Sequence, residues 1–235
     1  TNNIGVVYST GNSITVSSNS GIVNITGNTS TITSNAAGGR IFITGASSSI
    51  TTSAGTLNIT GNTSTVTTAN GTVNITGGSN TLTTANGTVN MTGTNTVTTA
   101  SSRVSMSGIN TITTANGTVF VTGHANTITS NAGNVWMSGK TSTVTNADGG
   151  DVFITGNTST VTNANGGRIF ITGHTATLAT AQGTVNITGK ETTITTANGV
   201  VNISGGNGCT NTVTTANDKV VMTGTNTVTS AAGTV

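Results

Sequence analysis

A segment of about sixteen residues recurs from one end of this chain to the other. TLNITGNTSTVTTANG (56–71), TVNITGGSNTLTTANG (72–87), TVFVTGHANTITSNAG (118–133) and DVFITGNTSTVTNANGG (151–167) are four versions of it. Cut before each TVNITG-like stretch, the 235 residues give fourteen units, mostly of 15–17 residues, with the first and last irregular. A short period repeated this often constrains a fold severely, because each unit must make the same contacts with its neighbours as every other unit. The period is too short for a strand plus a crossover helix. Each unit holds two segments of period-two alternation rich in β-branched residues, which read as strands. TG and ANG separate them and are expected to turn the chain, since Gly and Asn tolerate positive φ. The expected fold is all-β: one parallel two-sheet β-solenoid of about fourteen 15–17-residue coils, a single domain over residues 1–235. An array of antiparallel hairpins is the competing arrangement.

In a solenoid the alternation fixes which way each side chain points. Val73, Ile75 and Leu82 in one coil, and Val152, Ile154 and Val161 in another, are expected inside. About three aliphatic side chains per coil make a thin core, which accounts for a hydrophobic content of only 32%. Small polar residues flanking the second-strand aliphatic are expected to point inward too: Ser64 and Thr68, Asn80 and Thr84, Ser142 and Asn146. Stacked on their counterparts, they can bond from coil to coil.

The immediate neighbours of the second-strand aliphatic must then point out. The residue before it is Thr15, Thr31, Ser49, Thr65, Thr81, Thr96, Thr111, Thr127, Thr143, Thr160, Thr177, Thr193, Thr212 or Thr227, so thirteen of fourteen are Thr. The residue after it is Thr in twelve of fourteen, among them Thr33, Thr67, Thr83, Thr98, Thr113, Thr129, Thr145, Thr162, Thr195, Thr214 and Thr229; Ser17 and Ala179 are the exceptions. A third column two residues earlier is looser, with Ile109, Ala125 and Glu191 among its threonines. An ordinary solvent face mixes Thr with Lys, Glu and Gln. These two columns do not mix, and charged residues are only 4% of the chain against about 25% in a typical soluble domain. Threonines at about 4.8 Å between coils and roughly 6.7 Å along a strand form a lattice of methyls and hydroxyls held in few rotamers.

The T-x-T strands, such as Thr63-Ser64-Thr65-Val66-Thr67 and Thr158-Ser159-Thr160-Val161-Thr162, resemble those of the hyperactive β-solenoid antifreeze proteins. The resemblance covers nearly the whole chain as a pattern. It implies adsorption to ice or ordered water through the Thr columns named above, thermal hysteresis and growth inhibition. The chain departs from several of those proteins in having no disulfide, since Cys209 is its single cysteine. A weaker likeness, to the Asn/Thr/Ser/Gly-rich repeats of plant ice-recrystallisation inhibitors and of secreted surface proteins, implies an extracellular fibre or adhesin segment. That alternative expects end-to-end self-assembly, because the sequence stops at Gly233-Thr234-Val235 partway into a coil without a charged or helical cap.

The first strand is less uniform. Its central outward position reads Tyr8, Asn24, Phe42, Asn58, Asn74, Asn90, Ser105, Phe120, Trp136, Phe153, Phe170, Asn186, Asn202 and Val221, and contains all six aromatics of the chain. Phe42, Phe120, Trp136, Phe153 and Phe170 are candidates for a lateral assembly face or a glycan platform, against a plain stiffening stack. Asn24, Asn58, Asn74, Asn90, Asn186 and Asn202 lie in N-x-T/S sequons. They are glycan acceptors in a secreted eukaryotic or archaeal protein and an amide ladder otherwise. Arg40, Arg103, Asp151, Arg168 and Lys219 sit just before this strand, on its rim.

Little remains for other chemistry. Six Lys+Arg cannot neutralise a run of phosphates, so no nucleic-acid partner is expected. No run of 18 apolar residues is present, so no membrane insertion is expected. A chain that starts at Thr1 without Met fits a processed mature chain or a fragment, and a secreted, extracellular location is expected from the resemblance. His124 and His174 fall three coils apart, too far to share a metal. Asp148, Asp151, Glu191 and Asp218 make no catalytic pair, so no enzyme activity, metal or cofactor is expected. Cys209 reads as a small residue within an insertion around Gly206-Asn207-Gly208. The expected partners are ice or ordered water, and further copies of the chain itself.

Overall fold

The computed structural model describes residues 2–3, 6–19, 21–35, 39–101, 103–148, 150–165, 167–205 and 208–235. Gly206 and Asn207 of the insertion, and the side chains of Thr68 and Asn146, lie outside the described residues. The described residues contain strands and no helix, and the chain separates into two compact units, Thr1–Thr113 and Thr114–Val235.

The first unit holds β1 (Asn2–Asn3), β2 (Val6–Asn19), β3 (Ile22–Asn35), β4 (Arg40–Ser53), β5 (Thr56–Ala69), β6 (Thr72–Ala85), β7 (Val89–Ala100) and most of β8 (Val104–Ala115). The second holds β9 (Val119–Asn131), β10 (Val135–Asp148), β11 (Val152–Asn165), β12 (Arg168–Ala181), β13 (Thr184–Ala197), β14 (Val201–Ser204), β15 (Thr210–Ala216), β16 (Val220–Thr223) and β17 (Thr225–Ala231). Pairing within each unit is parallel and joins equivalent residues of successive coils: Val73↔Val89 and Leu82↔Val97 in the first, Val152↔Ile169 and Val161↔Leu178 in the second. The fold is a parallel β-solenoid, and the hairpin array is excluded. Where two strands per coil were expected, β2 to β13 each run unbroken through both arms of a coil. The split pairs β14 with β15 and β16 with β17 make two further coils.

The core is the expected aliphatic ladder with one column more. Val73, Ile75 and Leu82 are at most 1% exposed, as are Val152, Ile154 and Val161. Ala69, Ala85, Ala147 and Ala216 add a fourth buried column near the ANG corner. The small polar column behaves as expected at Ser64, Asn80 and Ser142, all buried, while Thr84 is half-buried. In the first unit the Asn80 amide donates to Asn95 Oδ1 at 2.8 Å, and Asn95 donates to Asn110 Oδ1 at 2.8 Å. Asn95 also donates to the Gly93 and Ser107 carbonyls, both at 3.1 Å, so this polar ladder stitches the corner to the core.

The corners turn for a different reason from the one expected. Among the described residues no non-glycine residue has positive φ, and only Gly93, Gly108, Gly123, Gly208 and Gly224 do among the glycines. Glycine is needed at most TG corners for proximity. A Cβ on Gly61 would collide with the Gly45 carbonyl oxygen of the preceding coil. Positive φ enters where a corner changes length. Gly77 and Leu82 are five residues apart, but Gly93 and Val97, like Gly108 and Ile112, are four apart. At these shorter corners φ is 128° at Gly93 and 119° at Gly108, a region open to glycine. Glycine absorbs the missing residue, and the strands beyond stay in register, with Thr81 opposite Thr96.

Candidate functional site

The second arm presents the threonine columns outward. In the second unit Thr127, Thr143, Thr160, Thr177, Thr193, Thr212 and Thr227 pair coil on coil without a break. Thr143, Thr160 and Thr212 are half-buried and the other four exposed. In the first unit Thr15, Thr31, Ser49, Thr65, Thr81 and Thr96 pair in the same way, and Thr111 is exposed at the same position of β8. The column after the aliphatic is exposed throughout the first unit, at Ser17, Thr33, Thr51, Thr67, Thr83, Thr98 and Thr113. In the second it is exposed at Thr129, Thr195, Thr214 and Thr229 and half-buried at Thr145, Thr162 and Ala179.

The register of these columns survives the largest irregularity. Gly189 and Ile194 are five residues apart, whereas Gly205 and Val213 are eight apart. The extra residues are taken up at the corner, and Thr193 still pairs with Thr212. Cys209 lies on the inner side of this corner, 9% exposed. A Cβ on Gly205 would meet the Cys209 Cβ at 2.5 Å, so Cys209 packs directly against the Gly205 backbone. Glu191, Thr193, Thr210 and Thr212 border a shallow recess beside it.

The first arm holds two different ladders in one column. In the first unit the Asn74 amide donates to Asn58 and the Asn90 amide to Asn74, each at 2.8 Å. The nitrogen a glycan would attach to is the donor in that ladder. Asn202 donates likewise to Asn186 at 3.0 Å in the second unit, and Asn24 is half-buried. In the second unit Phe120, Trp136, Phe153 and Phe170 stack with centroids 4.8, 5.4 and 4.9 Å apart and interplanar angles of 13°, 4° and 2°. Trp136 and Phe153 therefore have both faces covered by neighbouring rings, and only edges point outward. Phe42, 40% exposed, lies in the first unit between Asn24 and Asn58.

One further outward column stands at the TG corners, which the sequence marks only as turns. The Thr of each TG lies two residues beyond the central position, on the same side of the strand. Thr26, Thr44, Thr60, Thr76, Thr92 and Ser107 in the first unit, and Thr122, Ser138, Thr155, Thr172, Thr188, Ser204 and Thr223 in the second, are all exposed. Strand parity carried from Asn74 to Thr76 would have revealed it.

Charge is sparse and peripheral. Arg168 donates from Nε and Nη2 to the Asp151 carboxylate one coil away. That hydrogen bond holds Asp151 below its ordinary value of 3.8 and raises Arg168. His124 and His174 are exposed at their corners. Among the described residues no three His, Cys, Asp or Glu side chains gather as a metal site would require. Compared with protein-family models, curated proteins and solved structures, the chain has no significant match.

Proposed function

We propose that this chain is an ice-binding protein that acts outside the cell, adsorbing to ice or ice-like ordered water through the threonine columns of the second arm. The observation that carries the reading is the column from Thr127 to Thr227, seven threonines on successive coils kept in register across an insertion. Each threonine offers one methyl and one hydroxyl in a restricted rotamer. The backbone beneath is held by the inter-coil ladder, so little side-chain or backbone freedom remains to be lost on binding. Repeats near 4.8 Å and 6.7 Å give water a fixed pattern of hydrogen-bonding groups.

The test is thermal hysteresis and ice-crystal shaping by the purified chain beside T127K/T143K/T160K/T193K. The reading expects shaped crystals and a hysteresis gap with the parent, and loss of both with a variant that keeps its fold. A folded parent that leaves ice round and growing freely removes the reading. A second reading, an extracellular fibre or adhesin segment that associates with its own copies, is favoured by a separate observation. Val6, Tyr8, Ile22 and Phe42 are 55%, 80%, 37% and 40% exposed on one face of the first three coils of the first unit. Monomeric elution at all concentrations would count against it.

A further inference from the structure

We infer that the first arm of the first unit carries a second, smaller ordered-water site, built by the T-x-N-x-T runs of residues 56–60, 72–76 and 88–92. This inference rests on the ice-binding reading and assigns part of the binding to the opposite arm. The three runs, TLNIT, TVNIT and TVNMT, lie on successive coils. Thr56 pairs with Thr72, Asn58 with Asn74 and Asn90 in turn, and Thr60 with Thr76 and Thr92. All three columns face outward, half-buried at Thr56, Asn58 and Asn74 and exposed at Thr72, Asn90 and the TG threonines.

The amides are what distinguish this patch from an ordinary polar surface. A free Asn side chain rotates and presents its two donors and its acceptor in many directions. Here Asn74 gives one N–H to Asn58 and accepts one from Asn90, both at 2.8 Å. Its second N–H and the other lone pair of its oxygen are thereby fixed in direction and left for solvent. The ladder sets those groups at the coil spacing, between two threonine columns that share the spacing. Water bound there meets donors and acceptors in a repeating, preorganised order, the condition that makes the second-arm columns an ice face. In the second unit the aromatic ribbon takes the amide positions of β9 to β12 and Asp151 and Arg168 take rim positions, so the amide ladder shrinks there to the single Asn202–Asn186 bond on β13 and β14.

Ice-affinity partitioning separates the two arms. A first variant blocks the second arm along both units, on every other coil, with T31K/T65K/T96K/T127K/T160K/T193K/T227K. A second adds T60K/T76K/T92K. Thermal unfolding verifies the fold of each, and Thr76→Lys alone serves as a milder substitute if the larger set fails to fold. The blocked chain is expected to enter growing ice less than the parent but above an inert control protein. The added lysines should bring it down to the control. Incorporation at the control level in the blocked chain, with a parent that incorporates, overturns the second site and leaves the second-arm reading intact. So does a residue of incorporation that T60K/T76K/T92K leaves unchanged. A parent that partitions no better than the control removes both.

Discussion

The two arms of each coil stand on the same core and carry different surfaces. Beneath the first arm Val73 and Ile75 are at most 1% exposed, and beneath the second Leu82 is fully buried. The parallel ladder imposes the same demand on both. Yet the central outward column of the first arm accepts Tyr8, Asn58, Phe153 or Val221, while the column beside the second-arm aliphatic holds Thr with one Ser in fourteen coils. The fold therefore does not impose threonine. A solenoid strand tolerates any outward side chain that stacks on its neighbours, as the amide and aromatic ladders show. Uniformity on the second arm is the feature on which the proposed ice-binding reading rests, since a repeating ligand would select it.

The comparison is broken most violently at the corners that join the arms. Gly61→Val drives a branched side chain into the Gly45 backbone and is expected to abolish cooperative unfolding, whereas Gly11→Ala, with nothing within 4 Å of its Cβ position, should fold normally. Circular dichroism with thermal melts distinguishes the two. Neighbouring residues on opposite sides of the second arm come next. Leu82→Ala should cost about 2–5 kcal/mol of stability by denaturant unfolding, and Thr81→Lys no more than about 0.5 kcal/mol while weakening ice shaping. In the buried polar ladder Asn95→Ala strips Asn80 of an acceptor and Asn110 of a donor, an expected loss of about 1–3 kcal/mol.

On the first arm, Phe153→Asn removes two ring contacts and should cost about 0.5–1.5 kcal/mol beyond the lost burial. Trp136 fluorescence should shift with it, and hysteresis should stay near the parent value. The smallest effect concerns the rim. Arg168 lowers the Asp151 pKa in the folded chain, so the pair's contribution is present above the ordinary carboxylate value of 3.8 and fades as pH falls through the lower folded value. Because the pair is open to solvent and salt, Arg168→Gln should change the melting temperature marginally near neutral pH and not at all once Asp151 is protonated.

Much of this was legible because alternation is a direct record of facing. Val73 and Ile75, two apart, and Thr81 and Thr83 on either side of Leu82 settle inside and outside without a structure. The TG threonines are legible by the same parity, although the Gly beside each one points to a turn. Other features were hidden. Ala69 and Ala85 look like turn filler in sequence, and only their burial shows a core column. The role of Gly61 depends on Gly45, sixteen residues away, because it is the approach of two backbones that excludes a Cβ.

The central claim is that the second-arm threonines contact ice, and graded substitution tests it most directly. Thermal hysteresis would be measured for T127K, T127K/T143K and T127K/T143K/T160K, each matched to the parent in folded concentration. A long charged side chain standing above a flat lattice holds it off the ligand, so the account predicts a marked loss with the first lysine and a further fall with each of the others. Full hysteresis retained through the triple variant in a folded chain would contradict it, and would place the activity elsewhere on the surface.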